Sequence, residues 1–175
     1  MDQSLIANGY FRNLYWVQPG VLLAGQYPGS PYNEDETRRK LNLLLDLGVR
    51  HFIDLTAPGA AVPYDPVLRE LSGWLNLETD YQRCAIADYS VPPVETMVKI
   101  LDAVDAAVQR GGAAYVHCWG GLGRTGMVVG CHLARHGLSG KQALKRIAQL
   151  RTGLANNSPE TDAQCALVLG WQTGQ

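Results

Sequence analysis

Apolar residues open the chain in two short runs, Leu14-Tyr15-Trp16-Val17 and Val21-Leu22-Leu23, separated by Pro19-Gly20, and this pattern predicts a hairpin over 13–25. The period then changes. Asn33 stands three residues before Glu36 with acids in between, an N-cap signature, and Leu41, Leu44, Leu45 and Leu47 form one helical stripe that ends at Gly48. Val49 to Leu55 predicts a strand, and Pro58 to Pro66 reads as loop. Asp65-Pro66 reads as N-cap and first helical residue of a helix with Leu68, Leu71, Trp74 and Leu75 on its apolar side. Tyr81 to Ile86 is the next strand and Ala87 to Pro92 a loop. Met97, Ile100, Leu101, Val104 and Val108 recur at helical spacing until Gly111-Gly112, and Ala113 to His117 is a buried strand entering a glycine-rich turn. Helices follow over roughly 124–136, 139–151 and 159–171, with Ser139 and Ser158 as N-caps. Strands alternating with helices predict an α/β fold: three layers, α/β/α, with a central mostly parallel sheet and a helical C-terminal third. Ligands of such sheets bind beyond the C-terminal ends of the strands.

Composition narrows the setting. A chain of 175 residues, 46% hydrophobic and 18% charged, suits one domain over 1–175, its first 30 residues being the hairpin and a loop. Fifteen Lys and Arg against sixteen Asp and Glu leave a net charge of −1, so no global field recruits nucleic acid or an anionic membrane. Cys84, Cys118, Cys131 and Cys165 form no Cys-x-x-Cys pair, which points to a reducing compartment rather than a disulfide framework. The opening Met-Asp-Gln-Ser-Leu-Ile lacks a basic and apolar leader, and no apolar run approaches the ~18 residues of a spanning helix. A soluble, cytoplasmic monomer is the expectation.

The chemistry concentrates in Tyr115-Val116-His117-Cys118-Trp119-Gly120-Gly121-Leu122-Gly123-Arg124-Thr125-Gly126, within the strand-turn-helix unit 113–126. A cysteine where a strand turns into a helix N-terminus faces unpaired N–H groups and the positive end of the helix dipole, which favours the thiolate and holds a tetrahedral oxyanion above the sulfur. Gly120, Gly121 and Gly123 permit positive φ and let the loop of Trp119, Gly120, Gly121, Leu122 and Gly123 turn its amides inward. Arg124, six positions after Cys118, can close the ring with a bidentate fork, and Thr125 can donate its hydroxyl to the sulfur. A lone cysteine at a strand end is usually core, and glycine-rich turns are common. Packing alone, however, does not require the joint arrangement of His, Cys, three glycines, Arg, Thr and Gly.

His117-Cys118, five residues, then Arg124-Thr125-Gly126 resembles the signature of the cysteine-dependent protein tyrosine phosphatase superfamily. The short chain is similar to the compact dual-specificity type, and the wording of the loop to the branch that includes the cyclin-dependent-kinase-associated phosphatase. The cysteine lies two thirds along the chain, unlike in the low-molecular-weight phosphatases. The resemblance implies hydrolysis of phosphomonoesters through a cysteinyl-phosphate: Cys118 as nucleophile, Arg124 and the 119–124 amides as phosphate binders, Thr125 stabilising the returning thiolate, and His117 holding the cysteine backbone. Ile86-Ala87-Asp88-Tyr89-Ser90-Val91-Pro92-Pro93, with Asp88 thirty residues before Cys118, is similar to the family's acid loop and makes Asp88 the proton donor, with Asp80 and Asp54 as fallbacks. No metal and no organic cofactor is called for.

A loop without lysine favours phosphoprotein over phosphoinositide as substrate, with phosphotyrosine first and dual specificity next. A silent phospho-binding module and a redox or sulfur-transfer protein are the rival classes. Thr56 to Tyr64 is expected to wall the pocket, Tyr64 to stack on a substrate ring, and Gln164 to match a glutamine near the attacking water. Cys84 is expected to be a core thiol rather than a redox partner of Cys118. His132 and His136 have the spacing of a zinc pair, but nothing in the sequence suggests a third ligand, so both are read as surface residues. Arg38-Arg39-Lys40 is read as a solvated face.

Overall fold

The computed structural model describes residues 9–175, so the opening Met-Asp-Gln-Ser-Leu-Ile segment lies outside the described residues. The hairpin forms as β1 (Leu14–Gln18) and β2 (Leu22–Gln26), antiparallel. Then come α1 (Glu34–Asp46), β3 (Val49–Asp54), α2 (Asp65–Trp74), β4 (Asp80–Arg83), α3 (Val94–Gln109), β5 (Ala113–Cys118), α4 (Gly123–Arg135), α5 (Gly140–Leu150) and α6 (Asp162–Gly170). The sheet order is β1-β2-β5-β3-β4, and every pair except the hairpin is parallel.

Helices cover both faces, as an α/β fold requires of strands apolar on both sides. Leu41, Leu44 and Leu45 of α1 with Leu68 and Leu71 of α2 pack with Phe52 and Tyr115 on one face. Met97, Leu101 and Val104 of α3, Met127 and Val129 of α4, Ile147 of α5 and Val168 of α6 pack with Ile53 and Val116 on the other. The central strand β5 is buried along its whole length and ends at Cys118, so the fold delivers the cysteine to the C-terminal edge of the parallel sheet. No described helix is long and apolar enough to cross a membrane.

Several boundaries differ from the sequence expectation. The last helix starts at Asp162 behind a capping box of Thr161 and Gln164, because the Ser158 hydroxyl is used elsewhere, on the Leu122 carbonyl. Tyr64, not Asp65, occupies the N-cap of α2, and Asp65 instead pairs with Arg69 one turn on at 2.9 Å. β4 runs over Asp80–Arg83 rather than 81–86, although the Cys84 and Ile86 N–H groups still donate to the Asp54 and Leu55 carbonyls. Trp74 and Leu75 are exposed rather than core, the Trp74 ring lying under the Arg38 guanidinium. Lys40 is buried over Phe11 and paired with Glu36, so the basic run is not a purely solvated face.

Candidate active site

The turn from β5 to α4 is built from outside inwards. Four consecutive carbonyls point away from the cysteine and are pinned: Trp119 O by the Tyr27 N–H (3.0 Å), Gly120 O by Asn13 Nδ2 (2.9 Å), Gly121 O by Arg151 Nη1 (3.4 Å) and Leu122 O by Ser158 Oγ (2.8 Å). In a trans peptide the N–H of the following residue lies anti to each carbonyl, so pinning the 119–121 carbonyls outward turns the amides of 120–122 inward. Among the hydrogen bonds of the described residues, the N–H groups of 119–122 donate to no protein acceptor. Buried donors without partners are costly, and their clustering at a helix N-terminus is the signature of an anion cradle.

Only Gly121 of the three loop glycines has positive φ, at 71°, and a Cβ there would stand 2.5 Å from the Gly25 carbonyl carbon. Gly123 is needed for a different reason. Its N–H donates to Glu160 Oε2 at 2.9 Å, and a Cβ would meet that carboxylate at 2.6 Å. The Gly123 amide is therefore committed to Glu160, so the expectation that all the 119–124 amides face the ligand is corrected for this one. Glu160 had no signal in the sequence; it comes from the loop before α6 and is brought here by packing.

Cys118 is 2% exposed, and its loop neighbours Trp119 and Arg124, with Thr56, Ala57, Ala60 and Asp88, line a cavity of about 260 Å³. Arg124 is buried; its Nη2 pairs with Asp88 Oδ1 at 2.9 Å, its Nη1 donates to Ile86 O at 3.3 Å, and its Nε has no partner. The structure thus brings Asp88, from the loop before α3, onto Arg124 of the cysteine loop. Asp88 is exposed at the rim and also accepts from the Tyr89 N–H at 3.1 Å, with Tyr89 at a positive φ of 55°. Trp119 is half exposed and stacked on Tyr27, with ring centroids 5.7 Å apart.

Other expectations are revised. Thr125 donates its hydroxyl to Gly25 O at 3.4 Å and not to the sulfur, because the close approach of Gly121 to Gly25 brings that carbonyl within reach. Tyr64 is buried and cannot stack on a substrate; its hydroxyl meets His117 Nε2 at 2.7 Å. The other ring nitrogen of His117 has no hydrogen-bond partner, although the neighbouring Cys118 backbone favours the ring's charged form. His117 is thus anchored by the Tyr64 hydroxyl, with its ring beside the Cys118 backbone. Burial pushes the His117 imidazole down to about 4, so it is neutral near pH 7.

Neither fallback acid is available. Asp54 is fully buried and accepts from the Thr56 N–H (2.8 Å) and the Tyr81 hydroxyl (2.6 Å). Burial would raise its carboxyl, but the nearby His117 and these hydrogen bonds outweigh it and hold the carboxyl below its ordinary value. Asp80 is in register with His51, which is in register with Ala114, four residues upstream of Cys118. At ~3.3 Å per residue that places Asp80 about 13 Å away along the strands. Gln164 is fully buried behind Gly123, with its Oε1 in the α6 cap and its Nε2 without a partner. All four cysteines are free, and burial raises the Cys84 thiol and pushes Cys131 up to about 12, as fits core residues.

Comparison with known proteins places the chain in a family. The tyrosine-protein phosphatase CDC14 of Candida albicans is 34% identical over 68 residues, 38% of this chain and 12% of that protein. The phosphatidylinositol 3,4,5-trisphosphate 3-phosphatase and protein-tyrosine-phosphatase PTEN1 of Arabidopsis thaliana is 27% identical over 171 residues, 97% of this chain. The chain spans only 12% and 40% of the lengths of these relatives. The crystal structure of kinase associated phosphatase superposes with a TM-score of 0.67 at 21% identity, over 84% of this chain and 83% of that one, which shows a shared fold. Residues 11–169 match the family described as PTP-SAK, Swiss Army Knife protein, DSP-PTPase phosphatase domain. With that match across nearly its whole length, the chain belongs to the dual-specificity type of the protein tyrosine phosphatase domains.

Proposed function

We propose that the chain hydrolyses phosphotyrosine in proteins through a cysteinyl-phosphate on Cys118. The observation that carries this reading is the set of unpaired, inward-turned amides at 120–122 in the loop that follows the buried Cys118, beside an arginine whose Nε is free. The Cys118 thiolate attacks phosphorus in line, an S–P bond forms and the ester O–P bond breaks. The equatorial oxygens take the loop amides and the Arg124 fork, which releases Asp88 from its ion pair to protonate the leaving oxygen. Asp88 then takes a proton from water, the water oxygen attacks phosphorus, and the S–P bond breaks to return the thiolate. Thr125 can serve that thiolate only by rotating its hydroxyl away from Gly25.

The substrate class follows from the walls. Ala57, Ala60 and Trp119 are apolar, and Arg124 is the one cation among the lining residues of the cavity. A single phosphate on an aromatic ring satisfies that arrangement, whereas the further phosphates of a phosphoinositide would meet no second cation there. A reducing cytoplasm is the compartment proposed, since the reactive thiol must stay reduced.

Turnover of p-nitrophenyl phosphate, a phosphotyrosyl peptide and a soluble phosphoinositide by wild type and by Cys118→Ser tests the reading. Wild type is expected to prefer the peptide, and the serine variant to lose at least ~10³-fold in kcat on every substrate. Substantial activity in pure Cys118→Ser removes the nucleophile. Preference for the phosphoinositide overturns the substrate class.

A further inference from the structure

We propose that Asp105, His132 and His136 form a binding site for a divalent transition-metal ion, with zinc the best match, that clasps α3 to the C-terminal end of α4. The sequence offered only the His pair at helical spacing. The fold supplies the third group, because α3 packs beside α4 and presents Asp105 to both imidazoles.

The geometry is close to what a metal needs. His132 Nδ1 stands 3.2 Å and His136 Nε2 2.9 Å from the same Asp105 Oδ1, and one ligand atom from each residue lies within 4.8 Å of the others. Ligands ~2.0–2.1 Å from a tetrahedral zinc ion stand about 3.3 Å apart, so the two imidazole–carboxylate contacts need to open by only a few tenths of an ångström. His132 is largely buried, not a surface residue, and its Nδ1 has no hydrogen-bond partner. A cavity of about 400 Å³, lined by Val17, Gln18, Asp105, Val108, His132 and His136 among others, leaves room for water as a fourth ligand.

The surroundings already orient the carboxylate. Arg135 Nη1 holds Asp105 Oδ2 at 2.9 Å while its Nη2 pairs with Asp102 at 2.8 Å, leaving Oδ1 to the imidazoles. A ligating carboxylate is normally fixed in this way by an outer partner. The positive charge of Arg135, and of Arg146 on the cavity wall, opposes a second cation and weakens the site. Imidazole and one carboxylate suit zinc, not magnesium or calcium, which prefer all-oxygen sites. The site is separate from the phosphatase chemistry: His132 follows Arg124 by eight residues, about 12 Å along the helix.

Zinc chloride titrated calorimetrically into Cys118→Ser, in which the reactive thiol cannot compete for metal, tests the proposal. One equivalent is expected to bind, with affinity falling more than about 100-fold in His136→Ala and in Asp105→Asn made in the same background. His136 is 55% exposed, so its replacement leaves the fold in place. Zinc is also expected to raise the melting temperature of the wild-type protein and not of His136→Ala, with magnesium doing neither. Absence of binding at 100 µM zinc (roughly a hundredfold over a micromolar Kd), or wild-type affinity in both ligand variants, overturns the site and leaves the cluster as an ion-pair network.

Discussion

At its N-terminal end α4 leaves donors open: four loop amides without protein acceptors, no side-chain cap at Leu122, and a buried arginine with a free Nε. At its C-terminal end the same helix places His132 and Arg135 in the last turn, where positive charge complements the dipole, and closes them on Asp102 and Asp105. The unsatisfied end is where a substrate anion supplies what the protein withholds. The other end ties α4 to α3 through the Arg135 ion pairs, with the His132 Nδ1 still lacking a hydrogen-bond partner, and this fixed helix gives the open cradle a rigid base. The lesson is that unmade hydrogen bonds, more than made ones, locate the chemistry in this fold.

The contrast breaks most directly at Arg124. Arg124→Lys keeps the charge but loses the fork, and kcat for p-nitrophenyl phosphate is expected to fall by about 10²–10³-fold. Near wild-type steady-state kcat would show that the open end does not depend on planar recognition. Next comes Asp88→Asn, expected to cost about 10²-fold on an alkyl phosphate and much less on an activated aryl ester, because only the poor leaving group needs a proton in the transition state. Its rate profile should also lose the alkaline limb; an unchanged limb and unchanged leaving-group sensitivity would remove Asp88 from the reaction.

A smaller effect tests whether the outer pins matter. Arg151 also bonds Asn13 Oδ1 at 3.0 Å and the Ala155 carbonyl at 3.1 Å, so Arg151→Met frees Gly121 O and loosens Asn13 on Gly120 O. A drop of about tenfold in kcat is expected with the fold retained, read by circular dichroism alongside kinetics. Unaltered kcat would mean the cradle holds its shape without that arginine.

The subtlest test concerns stability beneath the cradle. His117 has its folded value near 4 against an ordinary 6.5, so between these the unfolded chain binds a proton that the folded chain does not. Stability therefore rises with pH across that window, and acidification from 6.5 to 4 costs up to about 3 kcal/mol from this group. Asp54, held below its ordinary value, adds a loss only as pH falls below about 3.8. Denaturant melts from pH 7 to 4 should show the first slope in wild type and a flatter one in His117→Gln; equal slopes would mean that His117 is not held neutral.

Much of the site was legible because its chemistry is local. Cys118, Gly121 and Arg124 lie within seven consecutive residues, and a strand-to-helix turn needs no distant partner to be recognised. Asp88 was legible only through its resemblance to a family loop, and its contact with Arg124 is a tertiary fact. The revised roles of Thr125, Tyr64 and Ser158 share one cause. Thr125 was expected on the Cys118 sulfur, Tyr64 on a substrate ring and Ser158 at a helix cap, whereas each finds a partner far away along the chain, at Gly25, His117 and Leu122.

Apolar periodicity, caps and turn residues determined by themselves the alternation of strands and helices, the hairpin, and the cysteine loop at a strand end, since these depend on contacts a few residues apart. The tertiary structure alone decided which donors stay unpaired. Pinning the loop carbonyls took Asn13, Tyr27, Arg151 and Ser158, and committing the Gly123 amide took Glu160. It also decided that Asp105 meets His132 and His136 across thirty residues of chain. Hydrogen bonding and ion coordination are short-ranged in space and indifferent to separation along the chain, so no local pattern encodes them.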